Sequence, residues 1–186
     1  MIRQGIKADS KEAAILLYET LEGIAVKLTG GTTDEEVLAT LEDFFQQEVN
    51  RLNYTNAFVK VIDNKLAGIM IAYHGKDAEA IDAPIIEHLR TLKNDATITI
   101  DKEAEEDAYY IDTLSVNAEF RGQGIGTDLM KAAEDYAKEQ GYDKISLNVE
   151  YDNERAHNLY TKVGFKEEKT ITIIGKKFYY MVKELA

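Results

Sequence analysis

Arg121-Gly122-Gln123-Gly124-Ile125-Gly126 is the stretch on which the reading of this chain turns. Before it, Ala108 to Val116 carries Tyr-Tyr-Ile-Asp-Thr-Leu-Ser-Val at its centre and predicts a strand. After it, Thr127 to Gln140 predicts a helix, with Leu129, Ala133, Tyr136 and Ala137 on one face and Gly141 as terminator. Glycines between strand and helix let the backbone take positive φ and let a ligand approach closely. The helix that follows begins with unpaired N–H groups and a partial positive charge. Together these make a site for an anion such as a pyrophosphate, to which Arg121 adds a planar cationic fork.

Two nucleotide-binding patterns fail on these residues. A P-loop ends in Gly-Lys-Ser/Thr, whereas Gly126 is followed directly by Thr127. A dinucleotide fingerprint needs Gly-x-Gly-x-x-Gly; counted from Gly122 the third glycine position is Thr127, and counted from Gly124 it is Leu129. Glu150 can imitate the ribose-binding acid, but too little chain follows it for an extended parallel sheet.

Outward from the loop, Lys144 to Glu150 predicts a strand, and Asp152 or Asn153 caps a helix with Ala156, Leu159, Tyr160 and Val163 on its apolar face. Gly164 ends that helix, and Phe165–Ile173 and Lys177–Lys183 predict two closing strands around Gly175. Toward the N-terminus, Ile2–Lys7 predicts a short strand. Asp9 or Ser10 caps a helix through Leu21, Gly30-Gly31 breaks the chain, and Thr33 and Asp34 open a second helix. Ala57–Ile62 and Lys65–Tyr73 form a hairpin around Asp63-Asn64. Residues 76–106 are more polar and read as an insertion that shapes a substrate entrance. Within them Ile81–Leu92 predicts a helix with Pro84 in its first turn, Thr97–Ile100 a short strand, and Asp101–Asp107 a solvated acidic loop.

The 186 residues, 45% of them apolar, suit a single domain over residues 1–186. No apolar run is long enough for a membrane span, and the N-terminus does not read as a signal peptide, so a cytoplasmic location is expected. The chain has no cysteine, which excludes disulfides, thiolate metal sites and a cysteinyl acyl-enzyme. Three scattered histidines make a histidine-rich metal site improbable, and no metal is expected. The net charge of -12 disfavours nucleic acid and mildly favours a cationic partner.

Arg121, Gly124 and Gly126 fill the pattern Arg/Gln-x-x-Gly-x-Gly/Ala, and Asn153, Ala156, Tyr160, Gly164 and Phe165 fill Asn-x-x-Ala-x-x-x-Tyr-x-x-x-Gly-Phe. With these two motifs residues 108–183 resemble the GNAT family of N-acetyltransferases. The resemblance implies an α/β (α+β) fold: a mixed central sheet of about seven mostly antiparallel strands, a splayed fourth and fifth strand, and flanking helices. It implies acetyl-CoA as co-substrate and transfer of its acetyl group to a primary amine by direct attack in a ternary complex. Arg121, Gly122, Gln123, Gly124, Ile125, Gly126 and Thr127 would hold the pyrophosphate, Leu114, Ser115 and Val116 the pantetheine arm, and Asn153 would bond that arm or simply cap its helix. Tyr160 would be the general acid, and Asp112 or Glu150 the base that accepts the amine proton, with a slight preference for Asp112, an acid set mid-strand among apolar residues. The alternative is a non-catalytic acyl-CoA-binding regulatory module on the same fold. The acceptor, a small-molecule or peptide amine, is not specified, and Phe178-Tyr179-Tyr180-Met181 fits a homodimer contact as well as an interior strand.

Overall fold

Alternation along one strand sets the layers of the molecule. In Lys65–His74, Ile69, Ile71 and Tyr73 enter one hydrophobic core while Met70 and Ala72 enter a second on the opposite face. The structure, a computed structural model, describes residues 1–186. Its order is β1 (Ile2–Gln4), α1 (Ser10–Leu21), α2 (Gly23–Thr29), α3 (Asp34–Gln46), β2 (Ala57–Ile62), β3 (Lys65–His74), α4 (Ala78–Lys93), β4 (Tyr109–Val116), α5 (Ile125–Glu139), β5 (Lys144–Glu150), α6 (Glu154–Lys162), β6 (Lys166–Ile173) and β7 (Lys176–Glu184). One seven-stranded sheet runs β1-β2-β3-β4-β5-β7-β6 and is antiparallel except where β4 meets β5. Helices α1 to α4 bury Leu17, Leu28, Leu41, Phe45 and Ile85 on one face. On the other, α5 buries Leu129, Met130, Ala133 and Ala137. Each large side chain so buried contributes about 2 kcal/mol of transfer free energy. No helix is long and apolar enough to cross a membrane.

Helix α3 starts where its cap chemistry dictates: the Thr33 side chain accepts from the Glu36 N–H (3.2 Å), and Glu36 in turn accepts from the Thr32 N–H (2.7 Å).

Four features differ from the sequence reading. A short helix, α2, lies between Leu21 and Gly30; it is split from α1 by Glu22, whose φ of 46° breaks the helical run. Helix α4 begins at Ala78, so Pro84 lies in its second turn and not its first; the helix persists because Ile85 and Leu89 are buried in the first core. Residues 97–100 alternate as a strand would, and Ile98 and Ile100 do pack on that core, but no neighbouring strand is there to pair with them. Within the acidic run, Ala104 is buried and Glu103 is nearly so, so the segment is not a simple solvated loop. Gly75 lies against it so closely that a Cβ there would sit 1.8 Å from the Glu105 carbonyl oxygen. Phe178–Met181 belongs to β7, which is paired on both sides by β5 and β6, so it offers no free sheet edge.

Candidate active site

Strands β4 and β5 are parallel for three residue pairs only, Tyr109 with Ile145, Tyr110 with Ser146 and Ile111 with Leu147. Beyond Ile111 they part. On its other side β4 stays paired to β3 as far as Val116. One backbone edge of β4, from Asp112 to Val116, therefore faces a gap in the sheet. The parting coincides with a bulge: Ile71 pairs with Thr113 and Ala72 with Ile111, so Asp112 is the extra residue. The bulge shifts the alternation by one. Tyr109, Ile111, Leu114 and Val116 all face the α5 core, whereas Tyr110 enters the core of α1 to α4.

The Arg121–Thr127 loop stands at the open end of this gap. Gly122 and Gly124 have φ of 78° and 76°, and a Cβ on either would meet no atom within 4 Å. The first bond of α5 runs from the Asp128 N–H to the Gly124 carbonyl, which leaves the N–H groups of Ile125, Gly126 and Thr127 at the helix end. Gly126 is held near β4, its Cβ position 3.6 Å from Leu114 Cδ2 and 3.8 Å from Val116 Cγ2. Arg121 and Gln123 are exposed, and Ile125 is buried as the helix's anchor. Ser115 is buried. A pyrophosphate fits these residues: open backbone at two glycines, a helix start and a free guanidinium. An extended amide-bearing arm fits the exposed edge of β4.

Asn153 caps α6, its side chain accepting from the Ala156 N–H at 3.1 Å. That helix has no fully buried residue; Ala156, Tyr160 and Val163 pack on the α5-side core while Leu159 is 41% exposed. The Tyr160 ring lies edge-on to Phe165 at 5.8 Å, and burial pushes its phenol up to about 12. Glu150, at the end of β5, pairs with Lys176 at 3.0 Å and is about a third exposed.

Asp112 has different surroundings from those a free base needs. One carboxylate oxygen accepts from Arg51 Nε (3.0 Å), Arg51 Nη2 and the Tyr73 hydroxyl (2.8 Å); the other accepts from the Thr113 hydroxyl (2.7 Å). Its side chain is 2% exposed. Arg51, itself buried, also bonds Glu103 from the acidic segment (2.7 Å) and lies 3.6 Å from Asp82 of α4. Glu103 accepts from the Tyr110 hydroxyl at 3.1 Å, and Asn148 of β5 donates both to the Tyr110 hydroxyl (2.9 Å) and to the Glu103 carbonyl (3.1 Å). Burial works against the Arg51 charge, but Asp112 and Glu103 outweigh it and hold the guanidinium ionised. Burial raises the Glu103 carboxyl, Arg51 lowers it and Asp112 raises it again, leaving it above the ordinary glutamate value. Asp82 is raised by the same balance.

This cluster is the part of the site that motif reading missed. Arg51 lies between helix and hairpin in no pattern, and Glu103 is one of several acids in a row. The single legible signal is Asp112 itself, a mid-strand acid that requires a buried cation as partner.

The profile of the acetyltransferase (GNAT) family matches residues 31–165. Over 62 residues the chain is 42% identical to N-alpha-acetyltransferase 30 of Schizosaccharomyces pombe, covering 33% of this chain and 41% of that protein. Over 75 residues it is 36% identical to an uncharacterised N-acetyltransferase of Methanocaldococcus jannaschii, covering 40% of this chain and 31% of that one. The matched segments thus span less than half of these curated relatives. Solved structures match throughout: an acetyltransferase at 30% identity and a TM-score of 0.83 over 100% of both chains, and an N-acetyltransferase from Staphylococcus aureus at 28% identity and 0.83 over 98% of this chain and 99% of that one. With the parted β4 and β5, the glycine turn at the start of α5 and full-length likeness of fold and sequence, the chain belongs to the acetyltransferase (GNAT) family.

Proposed function

We propose that this protein transfers the acetyl group of acetyl-CoA to a primary amine by direct attack, with both substrates bound together. The observation that carries the reading is the gap beyond Ile111 and Leu147, which has N–H donors at one end and a buried carboxylate cluster beside its apex. Backbone groups of Gly122, Gly124, Ile125, Gly126 and Thr127, with the side chains of Arg121 and Gln123, hold the pyrophosphate. The free edge of Leu114, Ser115 and Val116 and the side chain of Asn153 hold the pantetheine arm. Acetyl-CoA supplies a thioester carbonyl to which the amine nitrogen bonds.

Two protons must move. An alkyl amine is protonated near neutral pH and must lose its charge before it attacks. We assign that proton to the Glu103 carboxylate, whose raised pKa brings it toward the working range of a base. Asp112, expected to be the base, has both oxygens occupied and becomes the anchor that fixes the bulge. Glu150, tied to Lys176, remains a candidate to relay the proton to solvent. As the C–N bond forms and the C–S bond breaks, Tyr160 donates its phenolic proton at the departing sulfur, and the second proton that the nitrogen sheds on becoming an amide returns to the phenolate through solvent. A phenol raised to about 12 stays protonated at neutral pH and is available as that donor.

The test is release of free thiol from acetyl-CoA with a panel of primary amines, beside calorimetry of CoA binding. CoA binding together with amine-dependent release is expected. Binding without release on any amine would make the protein a non-catalytic acyl-CoA-binding module instead.

A further inference from the structure

The segment between α4 and β4 does more than cover the sheet. With α2 and the turn between β6 and β7 it lines a half-open cavity of about 400 Å³, in the range of small-molecule sites. Leu28, Leu89, Ile98, Ile100 and Ile173 form its apolar wall. Glu103 lines it too, and is the one residue shared between the cavity and the Arg51 cluster. Through Tyr110 and Asn148, Glu103 also reaches the point where β4 and β5 part. Here Asn148 Oδ1 is buried and receives no hydrogen bond.

The charges sort in the same direction. One guanidinium serves the carboxylates of Asp112, Glu103 and Asp82, so a cation arriving at Glu103 relieves an excess of negative charge. Elsewhere the lining sets Lys27 and Lys93 against Asp95 and Asp101, a balance that gives a second cation nothing to bind.

The geometry points to this cavity as the acceptor site, taking a primary monoamine carried on a branched aliphatic or aromatic body. The ammonium lies at Glu103, and the body lies against Leu28, Ile98 and Ile173. The site deepens the acetyl-transfer reading and rests on it for chemistry, but its ligand preference can be read by binding alone.

Calorimetry on the full chain, with CoA present, would use 2-phenylethylamine, ethylamine and spermidine as probes. The expected order places 2-phenylethylamine at least about tenfold tighter than either of the others, the worth of burying an aromatic body. Ile98→Trp, which fills the cavity, weakens 2-phenylethylamine by at least about tenfold with CoA affinity retained, and Thr99→Trp at an exposed position of the same wall acts likewise. Equal affinity for the three amines, tighter binding of spermidine, or both tryptophan variants binding like the parent overturns the proposal. The expected order of binding without thiol release leaves the cavity standing and overturns the acetyl-transfer reading.

Discussion

At the scale of single residues, the balance of the Arg51 cluster decides both stability and pH response. Removing the one cation from among three carboxylates strands buried charge, and breaking a buried pair in this way costs about 3–5 kcal/mol. Arg51→Met is expected to melt roughly 10 °C lower than the parent, taking a few degrees per kcal/mol for a chain of this size. Adding Asp112→Leu to Arg51→Met recovers part of the loss; no recovery in a thermal melt would show that Asp112 is not the main partner. The catalytic assignments separate by pH. Glu103 must be ionised to accept a proton, so kcat falls as pH drops through its raised pKa. Glu103→Gln abolishes that acidic limb and lowers kcat by about 10²-fold or more, whereas Asp112→Asn keeps the limb and lowers the melting temperature. A limb lost in Asp112→Asn and kept in Glu103→Gln restores Asp112 as the base. Tyr160→Phe removes only a hydroxyl and is expected to lower kcat by about 10²-fold with little change in melting, since the ring still packs on Phe165. Full activity in that variant would exclude the phenol as acid.

At the scale of elements, the loop that opens α5 admits a clean separation of binding from folding. Gly124 holds φ of 76° and has open space where a Cβ would stand. Gly124→Ala therefore costs only about 1 kcal/mol of left-handed strain, yet places a methyl group where the backbone must approach a phosphate. The expected result is a drop of a few degrees in melting and a loss of acetyl-CoA affinity of at least about tenfold by calorimetry. Unchanged affinity would move the pyrophosphate elsewhere. This loop was legible because its function is local: glycine spacing, a helix start and an arginine lie within a few residues. The two strands flanking it, and α6 with its Asn153 cap, were legible for the same reason. What the sequence hid was assembled from afar. Arg51, Asp82, Glu103 and Asp112 come from four separate segments, and only the fold brings them together. The 97–100 segment shows the converse limit. Its alternation reads as a strand, and Ile98 and Ile100 do pack on the core, but alternation does not report whether a partner strand is present, and none is.

At the scale of the whole molecule, the surplus of carboxylates makes stability depend on pH in a direction that can be worked out. Glu103 and Asp82 hold their protons more tightly folded than unfolded, because burial disfavours their charged forms more than Arg51 favours them. Their contribution to stability is complete below the unfolded carboxyl values and is lost as pH rises toward the folded ones. Asp9 behaves oppositely. Burial raises it, but the bonds from Arg3 and the Ile6 N–H win and lower it, so its contribution is present at neutral pH and lost only as strong acid protonates it. The net charge of -12 adds self-repulsion that eases as carboxylates protonate. The melting temperature should thus rise as pH is lowered from about 8 to about 5 and fall again below about 4. Salt screens the diffuse repulsion between surface charges but hardly reaches a pair buried beneath the acidic segment. Raising ionic strength should therefore lift the melting temperature near neutrality and flatten part of its slope with pH. The slope that survives in high salt belongs to the buried acids, and Glu103→Gln should reduce it. A high-salt slope identical in Glu103→Gln and the parent would show that Glu103 titrates as an ordinary surface acid, and it would lose both its raised pKa and its claim to the amine proton.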